Sequence, residues 1–212
     1  MAEKHLGEPS MTEKHLGEPS MTEKHPGGGS MTRHLIALSQ ITPCRILDMG
    51  AGDGHGVRLL REMGFDAVGI DVSPNHNSDH IIQGDFLHCP FDDCSFDAIL
   101  SECAFYVSGN PQAAMREAAR LLKKGGTLLL ADVSYQDLQG HGSLLQTAGF
   151  SVRYLEDITP LWKEYYISCI WNGTADEWCA CLQNTPVQEE RKSGSSFSKK
   201  KCSYYLTICE RM

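Results

Sequence analysis

No run of apolar residues in this 212-residue chain approaches the ~18 that a membrane span needs, so no membrane partner is expected. Positive charge is short as well. Nineteen lysines and arginines stand against 27 aspartates and glutamates, giving a formal net charge of −8 and an isoelectric point near 5.5. A nucleic-acid substrate normally needs a basic face for its phosphates, so this balance points away from nucleic acid and toward a small molecule. The first residues are polar and glycine-rich where a secretory leader would be apolar, so a cytoplasmic location is expected. Cysteine is plentiful, but a disulfide framework is missing. The nine cysteines are odd in number, and the closest pairs, Cys89 with Cys94 and Cys179 with Cys181, have no partner pair at zinc-finger spacing. Free thiols in a reducing compartment and no structural metal are the expectation. Length allows one α/β domain with a core and is too short for two ordinary ones.

Residues 1–30 repeat a decapeptide three times: MAEKHLGEPS, MTEKHLGEPS and MTEKHPGGGS. A period this short with little apolar content cannot build a core, so residues 1–29 read as a flexible arm and residues 30–212 as a single folded domain. The repeated histidines His5, His15 and His25 read as solvated tail residues. Ser30 can cap a helix carrying Met31, Leu35, Ile36 and Leu38, which Pro43 ends.

The chain is organised around RILDMGAGDGHG, from Arg45 to Gly56. Ile46 and Leu47 form a short apolar run, Asp48 closes it, and Gly50, Gly52, Gly54 and Gly56 follow at every second position. Val57, Leu60 and Met63 then recur at one-turn spacing, and Gly64 with Phe65 looks like a helix stop with its hydrophobic contact. A strand that turns through glycines into a helix cradles a phosphate or nucleotide, because glycine lets a ligand lie against the backbone there. Asp48 bears on which one. A dinucleotide brings a pyrophosphate to the helix N-terminus, and a carboxylate nearby repels it. The acid suits a cofactor that presents cations, such as an α-amino group beside a sulfonium.

These residues resemble the first motif of the class I S-adenosylmethionine-dependent methyltransferases, an acid followed by Gly-x-Gly-x-Gly. The resemblance implies an α/β Rossmann-like fold: a seven-stranded sheet, mostly parallel with an antiparallel last strand, and helices on both faces. It also implies that Asp48, Gly50, Ala51, Gly52 and Gly54 touch the cofactor, and that the helix before the first strand is a lid over it.

Further along, DAVGIDVS gives an apolar strand closed by Asp71, 21 positions after Gly50. A carboxylate there can accept two hydrogen bonds from a ribose diol, whether of NAD or of S-adenosylmethionine, with Val72 beside it. PNHNSDH is polar and short, so a loop is expected at that crossover. HIIQGDF gives a brief strand and then Asp85 and Phe86, which the resemblance sets at the adenine. The order GDF, PFDD, SFDAIL resembles the small-molecule branch of the family typified by quinone-biosynthesis enzymes, and Ser101 at the end of that strand completes the cofactor set. Asn110 and Pro111 open a helix with Ala114, Ala118, Leu121 and Leu122 toward the sheet, and Arg116, Glu117 and Arg120 toward water. Lys123 and Lys124 are expected to oppose the dipole at its end, before a fifth strand from Thr127 to Val133. Then come a helix to Ala148, a strand from Ser151 to Leu155, a helical insert at about 160–182, a linker over 183–200, and a last strand in CSYYLTICER.

Methyl transfer is an in-line displacement, and holding donor and acceptor close in a dry site is much of the work. A base is needed only where the acceptor must first lose a proton. The catalytic candidates are His55, Glu102 and Tyr106, in a wider set with His34, Cys103 and His141. His55 is inside the glycine turn, where a solvent-facing role is commoner. Cys103 reads equally well as a small buried residue after a strand. The many thiols resemble, in part, those of arsenite methyltransferases. Two other readings stay open: an NAD-dependent oxidoreductase, which tolerates Asp48 poorly, and a non-catalytic S-adenosylmethionine-binding protein on the same fold.

Overall fold

The computed structural model describes residues 25–73, 80–171 and 202–212. The first two decapeptides, most of the loop after Asp71, the helix expected in ADEWCACLQ with Cys179 and Cys181, and the linker over 183–200 lie outside the described residues. Strands β1 (Arg45–Met49), β2 (Asp66–Asp71), β3 (Ile81–Gln83), β4 (Phe96–Glu102), β5 (Leu122–Ser134), β6 (Phe150–Asp157) and β7 (Ser203–Arg211) form one sheet in the order β3-β2-β1-β4-β5-β7-β6. Helices α1 (Gly28–Ser39), α2 (His55–Glu62), α3 (Pro111–Leu121), α4 (Leu138–Thr147) and α5 (Thr159–Trp171) accompany it. β7 runs antiparallel to both β5 and β6, while the β2-β1-β4-β5 pairings are parallel, as the resemblance implies.

The central strands are apolar in unbroken runs because helices cover both faces. Successive side chains point to opposite sides, so neighbours in β5 serve different cores. Leu128 and Leu130 pack with Ala114, Met115 and Ala118 of α3 and with Leu145 of α4. Leu129 and Ala131 pack with Met31, Leu35 and Ile36 of α1, Val57 and Leu60 of α2, and Trp162 of α5. The strand order reverses between β1 and β4, and the carboxyl ends of those two strands are where an open α/β sheet receives ligands.

The expected stop of α2 is a paired C-cap. The Phe65 N–H reaches the Leu60 carbonyl at 3.0 Å and the Gly64 N–H the Arg61 carbonyl at 2.9 Å, with Gly64 at φ +92°. Asn110 caps α3 as expected, its side chain accepting from the Ala113 N–H at 3.1 Å. Three local expectations change. Ser30 is inside α1, whose N-cap is Gly27 in the left-handed region. Lys123 belongs to β5 and not to the end of α3: Leu122 already pairs with Phe96 of β4, and the Lys123 ammonium meets Asp97 Oδ1 at 2.6 Å. Glu117 and Arg120 do not face open water. They bind the stretch before β4, where Glu117 accepts from the Cys89 N–H at 2.8 Å. Arg120 donates to the carbonyls of Cys89 at 3.1 Å and Phe91 at 2.9 Å and to Asp93 Oδ1 at 2.6 Å. Sequence periodicity shows which way a helical residue points but not which loop folds back over it.

Truncating Arg120 leaves two carbonyls without their donor and leaves the Glu117 carboxylate with only the Cys89 N–H. The side chain is one third exposed, so water replaces part of what is lost. Arg120→Ala is expected to lower the unfolding free energy by about 1–2 kcal/mol, read from urea denaturation. An unchanged midpoint would show that the network adds nothing to stability.

Candidate active site

The turn from β1 into α2 is fixed by its own backbone and by β2. The N–H groups of Gly50 and Ala51 donate to the Ile70 carbonyl at 2.9 and 3.2 Å, and the Gly52 N–H donates to Asp71 Oδ2 at 2.9 Å. Gly50 is at φ +91°, and a Cβ on it would come within 2.3 Å of the Ala104 Cβ, so no other residue fits. Gly54 is the N-cap of α2. Asp71 Oδ1 also accepts from the Ser73 N–H at 2.8 Å. Its carboxylate thus clamps the glycine turn and retains lone pairs for further donors.

Asp48 lies beneath the first turn of α2. A Cβ at Gly56 would stand 2.6 Å from its Oδ2, so Gly56 is what lets the helix settle on the carboxylate. Asp48 is 6% exposed, and among the described residues no side-chain or backbone group donates a hydrogen bond to it. Burial pushes its pKa well up, and the fields of Glu102, Asp71 and Asp53 push it further. An acid in this state gains most from a cation brought against it.

Asp85 and Phe86 enter from the turn after β3. Asp85 caps the short 3-10 helix Phe86–His88, its Oδ1 accepting from the Leu87 N–H at 2.8 Å, and its other oxygen is 3.5 Å from His88 Nδ1. Phe86 is buried with its ring 6.1 Å from that of Phe105, and its edge borders Gly50. Ala51 is buried against Gly69, and Val72 is 59% exposed at the rim. Ser101 stands apart from this group, fully buried, with its hydroxyl donated to the Met49 carbonyl at 2.9 Å.

Glu102 ends β4. Asp48 is level with Leu100 in the β1/β4 register, so Glu102 lies on the same side of the sheet, two residues further toward the carboxyl end. Its side chain is 6% exposed, Oε2 accepts the Thr32 hydroxyl at 2.6 Å, and His25 Nδ1 is 3.8 Å from Oε1. Desolvation pushes its pKa up to about 8, with the Thr32 hydrogen bond pulling the other way. After Glu102 the chain turns through Cys103 at φ +56°. The Cys103 N–H donates to the Ala131 carbonyl, and its Sγ is 3.0 Å from the Tyr204 hydroxyl. Asp132 holds the next residues, accepting from the N–H of Tyr106 at 3.0 Å and of Val133 at 2.7 Å, and burial pushes its pKa up to about 7. The Tyr106 ring tilts against Tyr135 at 5.2 Å.

The structure thus brings Asp48, the glycine turn, Asp71, Phe86, Glu102 and Tyr106 to one end of the sheet. His55 is exposed, its ring against Gly29 of α1, and His34 is half-buried in α1. His141 is on the other face, on the buried side of α4, 3.3 Å from the Thr207 hydroxyl, with burial holding its pKa down to about 4. Thr32, Tyr135, Tyr204 and Asp132 were not singled out from sequence, and His25, expected as a solvated tail residue, instead stands 3.8 Å from Glu102. Two carried a signal: Thr32 interrupts an apolar helical stripe, and Asp132 interrupts the apolar run of β5. Among the described residues, no group of three or more His, Cys, Asp or Glu could hold a metal ion, and no helix is long and apolar enough to cross a membrane.

Residues 47–130 match the family model described as a methyltransferase domain. A demethylmenaquinone methyltransferase of Tropheryma whipplei (strain Twist) is 34% identical over 103 residues, 42% of this chain and 42% of that protein. The chain thus spans less than half the length of the curated relatives it matches. Among solved structures, the cyclase SpnF aligns over 93% of this chain and 85% of its own, with a TM-score of 0.62 and 18% identity. Phosphoethanolamine N-methyltransferase 2 of Haemonchus contortus, solved with phosphomonomethylethanolamine and S-adenosylhomocysteine, aligns over 88% of this chain and 53% of its own, with a TM-score of 0.65 and 17% identity. The solved structures share the fold, and the two differ in what their names say they do.

The buried acids make stability depend on pH. Glu102 and Asp132 have folded pKa values above their unfolded ones, so the folded state holds protons that the unfolded state has released, and stability falls as pH rises through that interval. His141, depressed to about 4 from 6.5, acts only below that interval's upper part: its contribution is lost as pH falls below about 6.5. The thermal midpoint is expected to fall between about pH 6.5 and about pH 8, and to fall less in Glu102→Gln, as scanning calorimetry at several pH values would read. A flat or rising midpoint over that range would contradict the burial of these acids.

Proposed function

We propose that this chain, whose residues 47–130 match the methyltransferase-domain model, is a class I S-adenosylmethionine-dependent methyltransferase that moves the methyl group of that cofactor to a small-molecule acceptor. The observation that carries the reading is the buried Asp48 carboxylate beneath α2, which has no donor among the described residues and sits where a dinucleotide would bring its pyrophosphate. A sulfonium and an α-ammonium are the guests its field favours. The residues present fit the cofactor: Asp48 would face its cationic end, Asp71 its ribose hydroxyls, Asp85 and Phe86 its adenine, and Val72 would cover it from the rim. Gly50, Ala51, Gly52 and Gly54 would let it approach the backbone. Ser101 acts through Met49, holding the end of β1 against β4.

When bound, S-adenosylmethionine supplies an electrophilic methyl carbon. The chain's part is to position and to exclude water. α1 lies over the end of the sheet through Thr32 and its apolar face. The loop after β4 is pinned by Asp132 and Ala131, and Tyr106 and Tyr135 form one wall. The acceptor space in this reading lies among these groups. We take residues 1–29 as an arm whose last residues join the domain, His25 reaching toward Glu102 and Gly28 and Gly29 opening α1, and residues 30–212 as the domain proper. A cytoplasmic location belongs to the same proposal, supported by the seven cysteines among the described residues, all free thiols.

Calorimetric titration of S-adenosylmethionine, S-adenosylhomocysteine and NAD tests the reading. Binding of the first two and not of NAD is expected, and heat from NAD alone would end it. Asp71→Ala removes both a ligand acceptor and the clamp on Gly52. It is expected to weaken S-adenosylhomocysteine binding by about 1.5–3 kcal/mol, roughly 10- to 100-fold. Unchanged affinity would mean that the carboxylate does not reach the ligand.

A further inference from the structure

One oxygen of Glu102 is unaccounted for by the fold. Oε2 accepts from Thr32, but Oε1 is fully buried and makes no hydrogen bond, with His25 Nδ1 at 3.8 Å, beyond hydrogen-bond reach. A buried carboxylate oxygen without a donor is costly to a folded chain. This one stands at the carboxyl end of β4, beside β1 at the point where the strand order reverses, on the same side of the sheet as Asp48. Its position is one where a substrate, and not the fold, completes the hydrogen bonding.

Resting on the methyl-transfer reading, we propose that Oε1 of Glu102 receives the acceptor itself, and that the acceptor is a small amine whose ammonium donates an N–H there in the place His25 now covers. The neighbours select this chemistry. Asp48 on β1 and Tyr204 on β7 feel the field of Glu102, and His25 ahead of α1 stands 3.8 Å from it. A thiol or phenol acceptor reacts as an anion, and Asp48 and Glu102, each already driven toward its neutral form by burial, oppose a further negative charge beside them. An ammonium is attracted by the same field.

An ammonium has no free pair and must lose a proton before it is methylated. The N–H proton passes to Oε1, leaving a neutral amine and a protonated Glu102. The nitrogen pair then forms the N–C bond to the methyl carbon, the C–S bond breaks, and its electron pair stays on sulfur. A sulfonium, an ammonium and a carboxylate become a thioether, a methylated ammonium and a carboxylic acid, so total charge is conserved. Glu102 suits the transfer because burial already brings its titration toward neutral pH, where a carboxylate is a better proton acceptor. Thr32 fixes the carboxyl through Oε2 and leaves Oε1 to the substrate.

The test uses the full chain with labelled S-adenosylmethionine and a panel of ethanolamine, histamine and phenethylamine against catechol and 2-mercaptoethanol. Label is expected on amines, with the amine rate falling about 100-fold or more in Glu102→Gln while S-adenosylhomocysteine affinity stays close to wild type. Thr32→Val keeps the carboxylate but removes the bond that favours its charged form, so its amine rate is expected to reach its plateau at higher pH. A binding readout accompanies the rates. Titrating the labelled amine into the S-adenosylhomocysteine complex near pH 7, in two buffers of different ionisation heat, is expected to release a proton in wild type and none in Glu102→Gln. Label confined to catechol or 2-mercaptoethanol, no label on any amine while S-adenosylhomocysteine binds, or an unchanged amine rate in Glu102→Gln each overturns the proposal. So does a loss of S-adenosylhomocysteine affinity in Glu102→Gln equal to the loss of rate, which would assign Oε1 to the cofactor. Wild type that binds no S-adenosylhomocysteine overturns the methyl-transfer reading instead, and this proposal with it.

Discussion

A helix can rest its first turn on a buried carboxylate only if the residue above the carboxylate has no side chain, and this is the contact between Gly56 of α2 and Asp48 of β1. The rest of the site depends on it. The helix dipole and its free N–H groups favour an anion there, but the protein already places its own acid in that spot, and burial drives it toward the neutral form. A phosphate would oppose its ionisation further, and a cation favours it. The glycine turn between the two elements is held from the side by Asp71 through the Gly52 N–H, so the acid that ends β2 also fixes the shape of the turn that ends β1.

The second constraint is the reversal of strand order between β1 and β4. It leaves the carboxyl ends of these strands side by side, with a helix leaving each toward a different face. Asp48 and Glu102 come from these two ends and lie on the same side of the sheet, so two acids 54 positions apart in sequence share one electrostatic environment. α1 closes over that side with an apolar stripe and one polar residue, Thr32, whose hydroxyl is taken by Glu102. On the opposite face α3 and α4 pack against the alternate residues of the same strands, and there the buried histidine, His141, is held neutral by burial, away from Asp48 and Glu102.

The loop after β4 shows how buried acids are used structurally. Asp132 is deep in β5 and its oxygens are taken by backbone N–H groups, including that of Tyr106, so the loop lies against the sheet and Tyr106 reaches Tyr135. Glu102 differs in having an oxygen left over. The distinction between an acid that ties down a loop and an acid that keeps one oxygen unbonded lies in this hydrogen-bond accounting and not in burial, since both are buried and both have raised pKa values.

Local pattern was enough for the strand-to-helix turn, the acids that close β1 and β2, the α3 cap and the presence of a final strand, because each depends on neighbours a few residues away: glycine where the backbone must turn, alternation or 3.6-residue spacing where one face is buried. The same locality explains what failed. Ser30 loses the N-cap position to Gly27, Lys123 is drawn into β5 by pairing across to β4, and Arg120 turns toward the stretch before β4, each through a partner that one-dimensional spacing cannot register. Likewise the sequence by itself named Asp48 and Glu102 but not that they share one side of the sheet. Strand order and register decided that, because proximity between distant residues is created by hydrogen-bond pairing and packing of whole elements, and only the folded chain fixes which carboxylate oxygens are left without a donor.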